Sequence, residues 1–200
     1  MNRGKDSTGL PRVAAGIVAL LCCGTVAAGE LEDLAGTARS IITEFSAQLQ
    51  SELQSAIASG GLKQAIEVCR MRAPAIAAAA AREGWNVGRT SLRVRNQANQ
   101  PDDFERRILL DFEQKLADGK TMESLGFYQM NSVGERSEFR YMKAIETREL
   151  CLGCHGESIP AAVARRLDEL YPGDEARGYA VGQLRGAFTL TRHFTQPAAE

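Results

Sequence analysis

The spacing of apolar positions divides this chain into a helical first half and a second half dominated by alternation. From 31 to 58, Leu34, Ile41, Phe45, Leu49, Leu53 and Ile57 fall mostly four residues apart, the stripe of an amphipathic helix. Gly60-Gly61 ends that pattern. A second helix is predicted over 62–82, where Leu62, Ile66, Cys69, Ala73, Ile76 and Ala80 step by three and four. Pro74 lies inside it. Lacking an amide to bond the carbonyl of Arg70, it predicts a bend just beyond Cys69.

Period two takes over at Trp85. Residues 85–95 read as a strand, with Thr90, Leu92 and Val94 on one face and Arg89, Ser91, Arg93 and Arg95 on the other. A turn-rich loop follows over 96–101, and Pro101-Asp102-Asp103 opens a helix that runs to Leu116. Two alternating segments within 124–146 flank a turn at 131–135 and predict a β-hairpin. A short helix over 160–170, a turn at Tyr171-Pro172-Gly173-Asp174 and a last strand over 183–194 complete the pattern. Strand–helix–strand repetition is missing, so the fold class is α+β: an antiparallel sheet with helices on one side. An all-helical fold is the competitor, and three alternating segments argue against it.

The N-terminus reads as a leader. Arg3, Lys5 and Arg12 precede an apolar run from Val13 to Val26, and Ala27-Ala28 offers small residues for cleavage. Residues 1–28 are therefore expected to be a signal peptide and 29–200 a single exported, soluble domain located in the periplasm. An uncleaved N-terminal anchor is the alternative; no later run is apolar enough to span a bilayer. Losing Arg3, Lys5, Arg12 and Asp6 from 24 basic and 25 acidic residues leaves 21 against 24, a net charge of −3. That balance gives no reason to expect nucleic acid as a partner.

Composition changes the picture at one place. Cys151-Leu152-Gly153-Cys154-His155 spaces two thiols and an imidazole as covalent haem attachment requires, each thiol adding across a vinyl group and the imidazole lying under the iron. The motif marks Cys151, Cys154 and His155 as the site of one haem c. A zinc site would want a second ligand pair. A thioredoxin-like redox motif would want a βαβ setting. Cys22 and Cys23 leave with the leader, which makes Cys69 the one thiol without an assigned partner. It is either a buried core cysteine or a thiolate on the second axial side of the iron. His193, Met71, Met122, Met130 and Met142 are the other axial candidates.

Several motifs together resemble one family. They are Cys69 with Ala73-Pro74-Ala75-Ile76-Ala77, the run from Gly84-Trp85 to Pro101-Asp102, Cys151 to Gly156, Tyr171-Pro172-Gly173-Asp174-Glu175-Ala176-Arg177-Gly178-Tyr179, and Gly182 to Ala187. Over roughly 31–192 the chain is similar to the exported c-type haem domains of the Tll0287-like family, also found on sensor proteins. The resemblance implies a PAS-like antiparallel sheet flanked by helices, a haem c pocket, and axial ligation by His155 and Cys69. Arg95 and Arg185 lie inside the matching motifs and become candidates for binding the haem propionates, since Arg suits carboxylates. Trp85 and Tyr179 read as packing residues, and Arg89 and Arg93 as part of a solvated stripe.

An iron with both axial positions filled is poorly arranged for turnover. Two roles follow: a redox or small-gas sensor in which Cys69 leaves the iron and CO or NO enters, or a low-potential electron carrier with fixed ligation. A separate redox or signalling protein is the expected partner. A haem peroxidase-like enzyme is a third reading and requires Cys69 off the iron at rest. No Ser/His/Asp or paired-carboxylate arrangement suggests other catalysis.

Overall fold

The computed structural model describes Met1 and residues 28–133 and 136–195. The leader expected over 1–28 lies outside the described residues except at its two ends, as do the hairpin tip Gly134-Glu135 and the last five residues. Helix α1 (Ala28–Glu67) carries the expected stripe, burying Leu34, Ile41, Phe45 and Leu49 along with Ala35, Ala38 and Ile42. Gly61 interrupts it at φ 70°, ψ −168°, so the stop expected at Gly60-Gly61 is a kink between two helical segments. Beyond Glu67 the backbone widens into a π-helical turn, Val68–Arg72, closed by a bond from the Ala73 amide to the Val68 carbonyl. Helix α2 (Ala73–Ala80) continues from it with Pro74 in its first turn. The bend expected of Pro74 takes this form, and Cys69 sits inside it.

One antiparallel sheet holds β1 (Trp85–Thr90), β2 (Gly126–Val133), β3 (Arg136–Glu146) and β4 (Leu184–Thr195) in the order β1-β4-β3-β2. The expected hairpin is β2–β3, in register from Gly126↔Lys143 to Val133↔Arg136. The fold is therefore α+β, but helices cover both faces of the sheet and not one. Strict alternation along β3 puts Phe139 and Tyr141 on the side of α1, packed with Trp85 and Leu190. It puts Met142 and Ala144 on the opposite side, against Phe104, Ile108, Leu109 and Phe112 of α3 (Asp103–Ala117). Small residues on β4 let α3 approach. Ala187 is fully buried there, and the Thr189 hydroxyl donates to Glu105 Oε1 at 2.6 Å.

Helix α3 starts where the sequence places its cap. Asp102 Oδ1 accepts from the Glu105 amide at 2.8 Å, and Glu105 Oε2 accepts from the Asp102 amide at 3.1 Å, a reciprocal capping box.

Strand β1 stops at Thr90, five residues short of the expected Arg95. The reason is on β4. Between Ile145 and Glu146 the register slips, leaving Arg185 as an extra residue in a bulge. Gly186 there has φ 152°, and a Cβ on it would stand 2.3 Å from the Thr90 carbonyl oxygen. Ser91 Oγ then donates to the Arg185 carbonyl at 2.8 Å in place of a ladder bond, and the chain leaves the sheet. The slip reverses the alternation: Leu184 joins the α3 cluster, while Arg185 turns to the side of α1.

After β3, helix α4 (Glu149–His155) carries the two-thiol motif, and α5 (Ala161–Leu170) packs Val163 and Leu167 on Ile66 of α1.

Gly186→Ala is expected to destabilise the fold by roughly 2 kcal/mol or more, since its methyl meets backbone that cannot yield. Asp102→Ala is expected to cost about 1 kcal/mol through the lost cap. Denaturant unfolding of each variant against the parent chain reads both, and a parental midpoint for Gly186→Ala contradicts the account of the bulge.

Candidate functional site

A cavity of about 600 Å³ opens between the C-terminal part of α1, the π turn, the β1–β4 end of the sheet and α4. That size falls within the roughly 300–1,000 Å³ of small-molecule and cofactor sites. Its walls include Phe45, Leu49, Ile66, Val94 and Phe188. All three cysteines among the described residues, Cys69, Cys151 and Cys154, line it as half-buried free thiols, and so does His155. Cys151, Cys154 and His155 share one face of α4 because positions three and four apart on a helix are neighbours. Cys69 arrives from the π turn. Residues far apart in sequence thus meet in one chamber.

The imidazole is tightly positioned. The His155 carbonyl accepts from the Tyr179 amide at 2.9 Å, and Nδ1 donates to the Ala176 carbonyl at 2.7 Å. With the proton on Nδ1, Nε2 keeps its lone pair, the nitrogen a metal would take. The ring meets Tyr179 edge-on, centroids 6.4 Å apart. Burial, with Arg185 and Arg95 nearby, holds the His155 pKa well below the usual imidazole value, so the ring is neutral at neutral pH. Burial likewise pushes the Cys154 thiol up, Cys69 adding to this and Arg95 opposing it.

Arg95 is the centre of the hydrogen bonding here. Its Nε pairs with Asp174 Oδ1 at 3.1 Å, both side chains almost sealed from solvent. Its Nη2 donates to the carbonyls of Cys154 at 2.6 Å and Ala176 at 3.2 Å. Its Nη1 lies 3.4 Å from His155 Nε2. Burial would raise the Asp174 carboxyl, yet bonds from Arg95 and Arg177 outweigh it and hold the group below its ordinary value. Asp174 has no role in the sequence reading beyond a turn, although the run Pro172-Gly173-Asp174 is the signal that marks it.

Arg185 also lines the cavity, as does Arg89, which the strand pattern assigns to a solvated stripe. Arg89 stands opposite Phe188 in the β1–β4 register and so shares its face. The period-two pattern separates Arg89 from Val94 but does not say which face meets the core.

The other axial candidates are elsewhere. His193 is exposed, its Nδ1 3.6 Å from Glu138, and Met71 is exposed. Met122 and Met142 belong to the α3 cluster, and Met130 packs on the α1 cluster. Among the described residues no group of three or more His, Cys, Asp or Glu is placed to hold a bare metal ion, and no helix is long and apolar enough to cross a membrane.

The sequence profile of the Tll0287-like family matches residues 27–192, most of the chain. Among solved structures the protein is similar to the cyanobacterial heme-protein Tll0287, at 25% identity and a TM-score of 0.52, over 86% of this chain and 100% of that one. Among curated proteins no relative matches. The elements brought around the cavity, from the π turn to the β4 bulge, all fall within the matched span, and the chain belongs to the Tll0287-like family.

Proposed function

We propose that this protein binds one haem c in the cavity between α1 and α4, and that it acts as an exported redox or small-gas sensor. The observation that carries the reading is the convergence of Cys69, Cys151, Cys154 and His155 on one largely apolar chamber. A family relative described as a heme-protein supports it. Cys151 and Cys154 would hold the haem covalently, each through a C–S bond made by addition of its S–H to a vinyl group, the hydrogen going to the other vinyl carbon. His155, neutral and with Nε2 bearing its lone pair, and Cys69 would be the protein ligands to the iron. When bound, the haem supplies a one-electron centre able to take a small diatomic ligand.

Cys69 decides between sensing and simple electron carriage. It sits in a π-helical turn between a kinked α1 and Pro74, where the helix already departs from regular bonding. Such turns are frequent at functional sites, and loss of the thiolate bond would let this one relax. A ligand-bearing turn that could relax in this way favours the sensor. Attachment of haem to paired thiols takes place outside the cytoplasm, which fits the leader and a periplasmic location.

The expected result is a ferric thiolate spectrum for the haem-loaded protein, lost on reduction and followed by uptake of CO. Cys69→Ala should abolish the thiolate signature while the haem stays attached. An unaltered spectrum for Cys69→Ala removes Cys69 from the iron, and a thiolate spectrum that survives reduction makes the protein a carrier.

A further inference from the structure

We infer that Arg89 and Arg185 form a two-armed carboxylate clamp on the sheet wall of the cavity, with Arg95 a positioning residue for His155. The inference rests on the haem reading above, the two propionates on one edge of the porphyrin being the carboxylates held.

Three guanidinium groups surround the site, and the structure divides them. Arg95 already has its carboxylate, Asp174; its Nη2 donates to two backbone carbonyls of the segments holding His155, and its Nη1 lies beside His155 Nε2. Arg89 and Arg185 differ: among the described residues neither has an ion-pair partner, and the groups that act on them are Cys69 and Tyr171 for Arg89, and Tyr179, Arg95 and Arg89 for Arg185. Burial pulls the pKa of both down. Two half-buried cations without an ion-pair partner, facing one chamber, suit an anion bound there.

Both come from the sheet wall of the cavity, on adjacent strands. Arg89 projects from β1 opposite Phe188. Arg185 comes from the adjacent strand, and only the bulge brings it to this side of the sheet. The tight Thr90–Gly186 contact is thus the local cost of aiming Arg185 into the cavity. Once there it is braced, Nη1 donating to Ser91 Oγ at 3.1 Å and the guanidinium lying 5.1 Å from the Tyr179 ring centroid. A fork held this way suits a carboxylate approached edge-on.

The test is the pH dependence of the midpoint potential in the haem-loaded protein. A paired guanidinium lowers a propionate pKa by roughly 1–3 units, so Arg89→Gln and Arg185→Gln should each move the pH-dependent segment upward by that amount. Arg89→Lys and Arg185→Lys keep the charge and should restore most of the shift, and they serve where Gln at the bulge fails to fold. Arg95→Gln should leave the segment in place and change the ferric axial spectrum instead. An unmoved segment in both Gln variants with haem attached, or a segment moved only by Arg95→Gln, overturns the clamp. Wild-type protein without covalent pigment overturns the haem reading itself, and is told apart by the absence of an added haem mass.

Discussion

The Arg95–Asp174 ion pair is the interaction on which the site depends. A buried charge pair contributes little net stability when complete, yet losing one partner costs about 3–5 kcal/mol because the other is stranded. Here the pair also fixes geometry. Arg95 follows β1, Asp174 ends the turn after α5, and the guanidinium reaches from that turn to the carbonyls of Cys154 and Ala176. Three chain segments are tied at one point. The same Ala176 carbonyl accepts the His155 Nδ1 proton, so tautomer and ring orientation are consequences of one network, while burial keeps the ring neutral.

Around that network the regular elements are departed from only where the cavity needs it. The π turn presents Cys69, the kink at Gly61 redirects α1 beside it, and the β4 bulge turns Arg185 inward. Elsewhere the chain keeps to simple rules: alternation on β3, small residues under α3, a capping box at its start. Local strain gathered at a cavity while the scaffold stays ordinary is the pattern expected of a functional site.

Much of this was legible in the sequence because it depends on short-range periodicity. The α1 stripe, the hairpin, the Asp102 cap and the break at Pro74 each follow from residues within a turn or two. The two-thiol motif with its histidine is likewise local, and a helix suffices to bring its three side chains to one face. What could not be read is long-range. The end of β1 is decided by Gly186, nearly a hundred residues away, and the second helical layer depends on Ala187 and Thr189 being small enough for α3. Arg89 looked solvated because alternation separates two faces without naming the one that meets a cavity. The pairing of Arg95 with Asp174 is invisible to the sequence pattern because the two lie far apart along the chain.

The central claim is that this chamber exists to hold a porphyrin joined covalently to α4. Mass spectrometry of the protein matured alongside haem-attachment machinery tests it most directly. The account predicts one added haem, resistant to acidified acetone, with both Cys151 and Cys154 closed to alkylation and Cys69 open once the protein is unfolded. Pigment that extracts completely, or alkylation of all three thiols at the unmodified mass, would contradict it.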